Sequence, residues 1–216
     1  MENVVGFLKD LAVNNQREWM QDNKKRYEVA KKEFKEIVAS LISGIADFDE
    51  NVQGLEPKHC IFRINRDIRF SKDKSPYKTN FGAAIMEGGK KTGNPTYYLH
   101  IQPGKSFVAG GVYLPEADNL KKIRQEIDYN PEELRNIVKD EQFKKVFGQM
   151  TGESLKTAPK GYPKDHPNID LLRMKSFLVT RDLSDKEILS NHFIPKITEM
   201  YQVMYPFNQY FSVAMS

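Results

Sequence analysis

The hydrophobic period of this chain changes twice, and that limits the folds open to it more than any other feature. Early in the chain, Tyr27, Ala30, Phe34, Ile37, Val38, Leu41, Ile42 and Ile45 recur at steps of three and four. Lys24, Lys25, Lys31, Lys32, Lys35 and Glu36 fill the other face, which predicts an amphipathic helix. A shorter helix is predicted before it, capped by Asn15 and with Trp19 facing inward. From His59 the period falls to two. Cys60, Phe62, Ile64, Ile68 and Phe70 alternate with Arg63, Asn65, Asp67 and Arg69, the pattern of an extended segment with one buried face.

Residues 81–86, 96–102 and 106–114 also read as strands. The Gly-rich run 87–94 and the Pro103-Gly104 pair supply turns between them, so an antiparallel meander is expected. Helical spacing returns at Leu120, Ile123 and Ile127, and Pro131 stands where a helix starts, ahead of Leu134, Ile137 and Val138. Residues 152–167 hold three Pro and two Gly and read as loop. Residues 177–179 form one more short strand. Ser184 and Glu187 have capping-box spacing, and an aromatic-rich helix is expected from Phe193. The sum is one α+β domain over residues 1–216, a central, mainly antiparallel sheet flanked by N-terminal and C-terminal helices.

Composition supports one core and little else. Of 216 residues, 39% are hydrophobic and 29% charged, which excludes disordered and low-complexity classes. The lone Cys60 forbids an intrachain disulfide and a multi-cysteine zinc site. No basic-then-apolar leader opens the chain and no apolar run nears the ~18 residues of a spanning helix, so a cytoplasmic protein with no membrane partner is expected.

The net charge of +4 hides an uneven distribution. Between Lys58 and Lys105 ten basic residues face three acidic ones, a local +7, so the remainder carries −3. Arg63, Arg66 and Arg69 cluster around Asp67 there, followed by Lys74, Tyr77 and Lys78. On an unbroken strand Arg66 would share the apolar face of Ile64 and Ile68. A buried guanidinium needs a carboxylate, hydrogen bonds or an anionic ligand. Two readings follow: an internal arginine–aspartate network, or a site for phosphate or carboxylate oxygens. Gly82-Ala83-Ala84 and Ala109-Gly110-Gly111, if adjacent in the sheet, would form a shallow floor for a ligand or for a closely packed helix.

The run Arg63-x-x-Arg66-Asp67-x-Arg69-Phe70 with Lys74 and Tyr77 resembles the signature of domain of unknown function 2461. Gly111-x-Tyr113-x-Pro115, Leu155-Lys156-x-x-Pro159-x-Gly161-Tyr162 and Asp165-His166-Pro167 extend the resemblance along essentially the whole chain. It implies an uncharacterised protein of a bacterial family with fungal relatives, and it assigns no activity.

Other motifs are weaker. The 88–93 loop lacks the Gly-Lys-Ser/Thr ending of a phosphate cradle, and Ser71-x-x-Lys74 lies in a charged turn and not at a helix start. His59, Cys60, His100 and His166 match no ligand spacing, so neither a metal nor a cofactor is expected, although the fold could bring His100 and His166 together. Asp165-His166 resembles a general-base pair only in composition.

The leading functional expectation is a site for a phosphorylated or carboxylated small molecule, built from Arg63, Arg66, Asp67, Arg69, Lys74, Tyr77 and Lys78. His100 and His166 are secondary candidates, and Asp67 or His166 is the proton carrier if the protein is an enzyme. The alternatives are nucleic-acid binding, with Phe70, Tyr77, Tyr97 or Tyr98 as stacking platforms, and an interaction protein whose arginine motif is structural.

Overall fold

The computed structural model describes residues 1–216. Three helices open the chain: α1 (Glu2–Val13), α2 (Arg17–Asp22) and α3 (Lys24–Ala46). A 3₁₀ turn at Glu50–Val52 and the single-turn α4 (Pro57–Cys60) lead into a long irregular segment. The sheet follows as β1 (Phe81–Ile85), β2 (Thr96–Ile101) and β3 (Ser106–Val112). Helices α5 (Ala117–Tyr129), α6 (Pro131–Lys139), α7 (Glu141–Phe147) and α8 (Ile169–Leu172) precede β4 (Phe177–Leu183). The short α9 (Asp185–Ile188) and the long α10 (Phe193–Met215) complete it. The sheet order is β1-β2-β3-β4 with every pair antiparallel, so the fold is α+β, as expected.

Helices cover one face of this sheet. Phe81, Ala83, Ile85, Tyr97, Leu99, Ile101, Val108, Val112, Phe177 and Val179 point to that side, joining α1, α3 and α10 in one core of 45 buried side chains. Two glycines let α10 come close. A Cβ on Gly110 would lie 1.9 Å from Met204 Sδ. One on Gly111, held at φ +100°, would lie 2.0 Å from the Phe177 carbonyl oxygen. Asn208 of α10 then ties two strands. Its Oδ1 accepts the Gly111 N–H at 2.9 Å and its Nδ2 donates to the Thr96 carbonyl at 3.1 Å. No helix is long and apolar enough to cross a membrane.

The hairpin turns stand where expected. Gly104 takes φ +72° and the Lys105 N–H reaches Gln102 O at 2.8 Å. Pro131 begins α6, and Ser184 and Glu187 form a reciprocal capping box on α9. The final strand runs to Leu183, longer than the apolar run suggested.

Three expectations fail. Two short helices, not one, precede α3, and the cap residue of α2 is Gln16. Asn15 instead clamps a distant backbone: its Oδ1 accepts the Tyr77 N–H at 3.1 Å and its Nδ2 donates to Tyr77 O at 2.9 Å. Residues 60–70 are not a strand. After α4 their backbone pairs with the sheet only through an Ile61–Ala83 bridge and a Phe62 N–H to Gly82 O bond. The segment then folds back on itself, with Asn65 bridging Tyr77. The alternation still shows in burial, because Cys60 and Ile64 are buried while Arg63, Asn65, Asp67 and Arg69 are exposed. Side chains of Asp67, Asp73 and Lys74 bond the backbone of this loop, which replaces a ladder by local turns. Finally, the small residues of β1 and β3 are not adjacent, because β2 lies between them.

Candidate functional site

The arginine segment folds into a self-paired loop. Arg66 is a quarter exposed; its Nη1 pairs with Asp73 and donates to Ser75 O at 3.1 Å, and its Nη2 reaches Ser71 Oγ at 3.4 Å. Asp73 also accepts the Ser75 N–H and hydroxyl, at 2.9 and 2.6 Å. Those two bonds, and then the Arg66 guanidinium, hold its carboxyl at about 2. Arg69 grips Asp67 with Nε at 2.9 Å and Nη2 at 2.6 Å, which lowers the Asp67 pKa. Lys74 Nζ donates to Ile68 O at 3.0 Å. Tyr77 packs against the core. So the structure brings Arg66 together with Asp73 and Arg69 with Asp67, but it does not converge the three arginines on one point.

Arg63 and Lys78 differ from these. Neither carries an ion pair or a side-chain hydrogen bond. Lys78 is half-buried over the Phe62 ring, 5.5 Å from its centroid. Burial, and then the nearby Arg63 charge, push the Lys78 ammonium below its ordinary pKa.

Lys78 stands at the wall of a cleft of about 650 Å³ on the sheet face that the helices leave open. The strand register arranges its floor in rows. In the central row Ala84, Tyr98, Ala109 and Thr180 lie side by side, so Tyr98 rises between two methyl groups. In the next row Gly82, His100 and Phe107 are neighbours. Tyr98 leans over Gly82, where a Cβ would sit 2.8 Å from its hydroxyl. Phe62, Met86, Tyr113 and Leu178 complete the apolar lining, and Asn80, Lys90 and Asn94 add polar groups. No acidic side chain lines the cleft. Lys90 is already committed, since its Nζ donates to the carbonyls of Lys58 and His59.

A chain of hydrogen bonds fixes Tyr98. Burial lowers the His100 pKa and raises that of Tyr98, so the imidazole is neutral and the phenol protonated. Gln102 Oε1 can only accept, so His100 Nε2 carries the hydrogen of their 3.1 Å bond. His100 Nδ1 then accepts the Tyr98 hydroxyl at 3.1 Å. Gln102 Nε2 continues to Thr79 Oγ1 at 3.4 Å, and the imidazole stacks on Phe107 with centroids 4.6 Å apart. Sequence reading passed over Tyr98, His100 and Gln102 as a unit. Their signal was the period of two in β2, which puts Thr96, Tyr98, His100 and Gln102 on one face.

The remaining candidates lie elsewhere. His166 pairs with Asp128, not Asp165: Nε2 is 3.0 Å from Asp128 Oδ1, while Nδ1 accepts the Asn168 N–H at 3.1 Å. Both ring nitrogens are occupied, and His166 shares no partner with His100. Tyr97, read as a stacking platform, faces the helices and donates to the buried Asp49 at 2.8 Å. Phe70 stands 96% exposed at the tip of the arginine loop. No three His, Cys, Asp or Glu side chains are grouped to hold a metal ion.

No curated protein and no solved structure matches this chain. One family model does, over residues 3–210, and with that extent the chain belongs to the family described as conserved hypothetical protein (DUF2461).

Proposed function

We propose that the protein binds a small organic anion, phosphorylated or carboxylated, in the cleft on the open face of the sheet. Lys78 is its charge partner, Arg63 adds positive charge near Lys78 without lining the cleft, and Phe62, Tyr98 and Phe107 seat its body. The observation that supports this reading is a half-buried ammonium that makes no ion pair, in a cleft lined by no acid, although Lys78 also borders the recess that holds Asp73. Burying an uncompensated cation costs free energy that an anion recovers on binding. The cleft volume lies in the range of about 300–1,000 Å³ that small-molecule sites occupy. A polar recess next to it, lined by Asn15, Arg66, Asp73 and Ser75, already contains its own carboxylate and is the poorer anion site. Arg66, Asp67, Arg69 and Lys74 serve by shaping the loop that positions Arg63 and Lys78.

The test is thermal unfolding with a panel of nucleotides, sugar phosphates and organic acids. A ligand at about 100 times its Kd stabilises by about 2.7 kcal/mol, a rise of roughly 5–10 °C for a domain of this size. Lys78→Gln removes that rise. A panel without effect on the wild type, or an equal effect on Lys78→Gln, refutes the reading.

A further inference from the structure

We propose that the bound anion is a phosphate monoester carried on a planar heteroaromatic ring, the chemistry of a nucleoside monophosphate, with the ring seated beside Tyr98. This rests on the anion-binding reading and names its ligand class.

The ring requirement comes from the floor. Phe62, Tyr98 and Phe107 follow one another across the cleft, with centroids 6.3 and 5.7 Å apart. Tyr98 does not swing freely, because the His100–Gln102–Thr79 chain holds its hydroxyl and Phe107 backs the imidazole. Beside it, the adjoining strand positions carry only the methyl groups of Ala84 and Ala109, which lie buried on the cleft floor between larger side chains. Strands lie about 4.8 Å apart, so the space above each methyl group has about the width of one flat ring in contact with an aromatic neighbour. A pre-ordered aromatic wall next to a slot of that width favours planar ligands over flexible chains, because little ordering remains to be done on binding. At the far edge of the slot, the Thr180 hydroxyl makes no hydrogen bond within the chain and is free to meet a polar ring edge.

The phosphate requirement comes from the wall. Lys78 and Arg63 are near enough to repel one another, and neither makes an ion pair, since Asp67, the acid near Arg63, is gripped by Arg69. A dianion relieves that repulsion more fully than a carboxylate does. Because Lys78 rests on the Phe62 ring and Phe62 meets Tyr98, charge and ring sites adjoin within the reach of one small molecule.

The experiment compares the four common ribonucleoside 5′-monophosphates with ribose 5-phosphate and with the parent nucleosides, by calorimetry on the full chain. At least one monophosphate is expected to bind about tenfold or more tighter than either fragment, through base–aromatic stacking against ribose 5-phosphate and through the phosphate's pairing with Lys78 against the nucleoside. Its ring current should shift the Ala84 and Ala109 methyl resonances, and ribose 5-phosphate should not. Tyr98→Ala should reduce binding to the ribose 5-phosphate level. Should that variant unfold, Ala109→Leu, which fills the slot and removes nothing, should do the same. Equal affinity for ribose 5-phosphate overturns the ring and leaves the anion reading standing. Equal affinity for the nucleoside overturns both. No monophosphate binding, with an organic acid still stabilising the protein, overturns this inference alone. Binding of an oligoribonucleotide far more tightly than of its monomer shows an extended nucleic-acid surface and also overturns it.

Discussion

Replacing Arg66 separates a structural arginine loop from one that touches ligand. Its side chain spans the fold-back between Ser71 and Ser75 and is only a quarter exposed. Arg66→Ala removes two hydrogen bonds donated by the guanidinium, one to the Ser75 carbonyl and a long one to the Ser71 hydroxyl, together contributing about 2 kcal/mol. The ion pair to Asp73 adds little, because that carboxylate is 61% exposed and takes up water when released. The expected loss is about 2 kcal/mol, well short of the 3–5 kcal/mol that follows when a buried pair is broken. For a chain of this size it lowers Tm by about 4–8 °C. Urea unfolding followed by circular dichroism measures it. The variant folds, and it retains the anion-induced rise in Tm, since Arg66 does not line the cleft. Asp73 stays below its ordinary 3.8 in a nuclear magnetic resonance titration, because the Ser75 donors that chiefly depress it are untouched. Stability from Asp73 is therefore still present above that value and lost only as pH falls toward about 2. An unchanged Tm with binding abolished, or outright failure to fold, would refute this account of the loop.

Other consequences are simpler to check. His100 has a depressed pKa because burial disfavours its charged form, so the unfolded chain binds the proton first. Stability should fall as pH drops below about 6.5, and His100→Gln should flatten that slope in urea titrations; identical slopes contradict it. Gly111→Ala should cost about 3 kcal/mol or more, because a left-handed residue would drive its Cβ into the Phe177 carbonyl, whereas Gly82→Ala meets only the end of the Tyr98 side chain and should cost about 1–2 kcal/mol by pressing its hydroxyl away from His100. Chemical denaturation of the two variants reads the contrast directly. The Cys60 thiol is buried and pushed up to about 11, so alkylation at neutral pH should proceed no faster than the protein opens.

The fold was legible wherever a local rule decides the backbone. Pro103-Gly104, Pro131 and the Ser184–Glu187 box each act within four residues, and each element starts or turns where it should. Residues 60–70 show where such rules stop. Their alternation of burial is real, but whether an extended segment becomes a strand depends on a partner edge. Here the backbone is satisfied by Asp67, Asp73 and Ser75 instead. The site followed the same division. Charge counting found the basic segment, yet which cations remain free depends on Asp73 and Asp67 taking Arg66 and Arg69, a matter of three-dimensional reach. The small residues were expected to share one floor, but β2 separates them and they fall on two faces: Gly110 and Gly111 admit α10, while Gly82, Ala84 and Ala109 surround Tyr98 on the opposite one.

The clasp between Asn208 and the strands also sets an order of events during synthesis. The meander of β1, β2 and β3 leaves the ribosome early, with its inner face apolar and no α10 to cover it. That face must wait for β4 and then for residues 193–215, so the nascent chain carries an adhesive half-core through much of its elongation. The N-terminal α3, made before the sheet and already amphipathic, is available to shield part of it in the interval. Folding of this protein on the ribosome is thus expected to proceed in two stages, the second completed when α10 docks and Asn208 closes its two bonds.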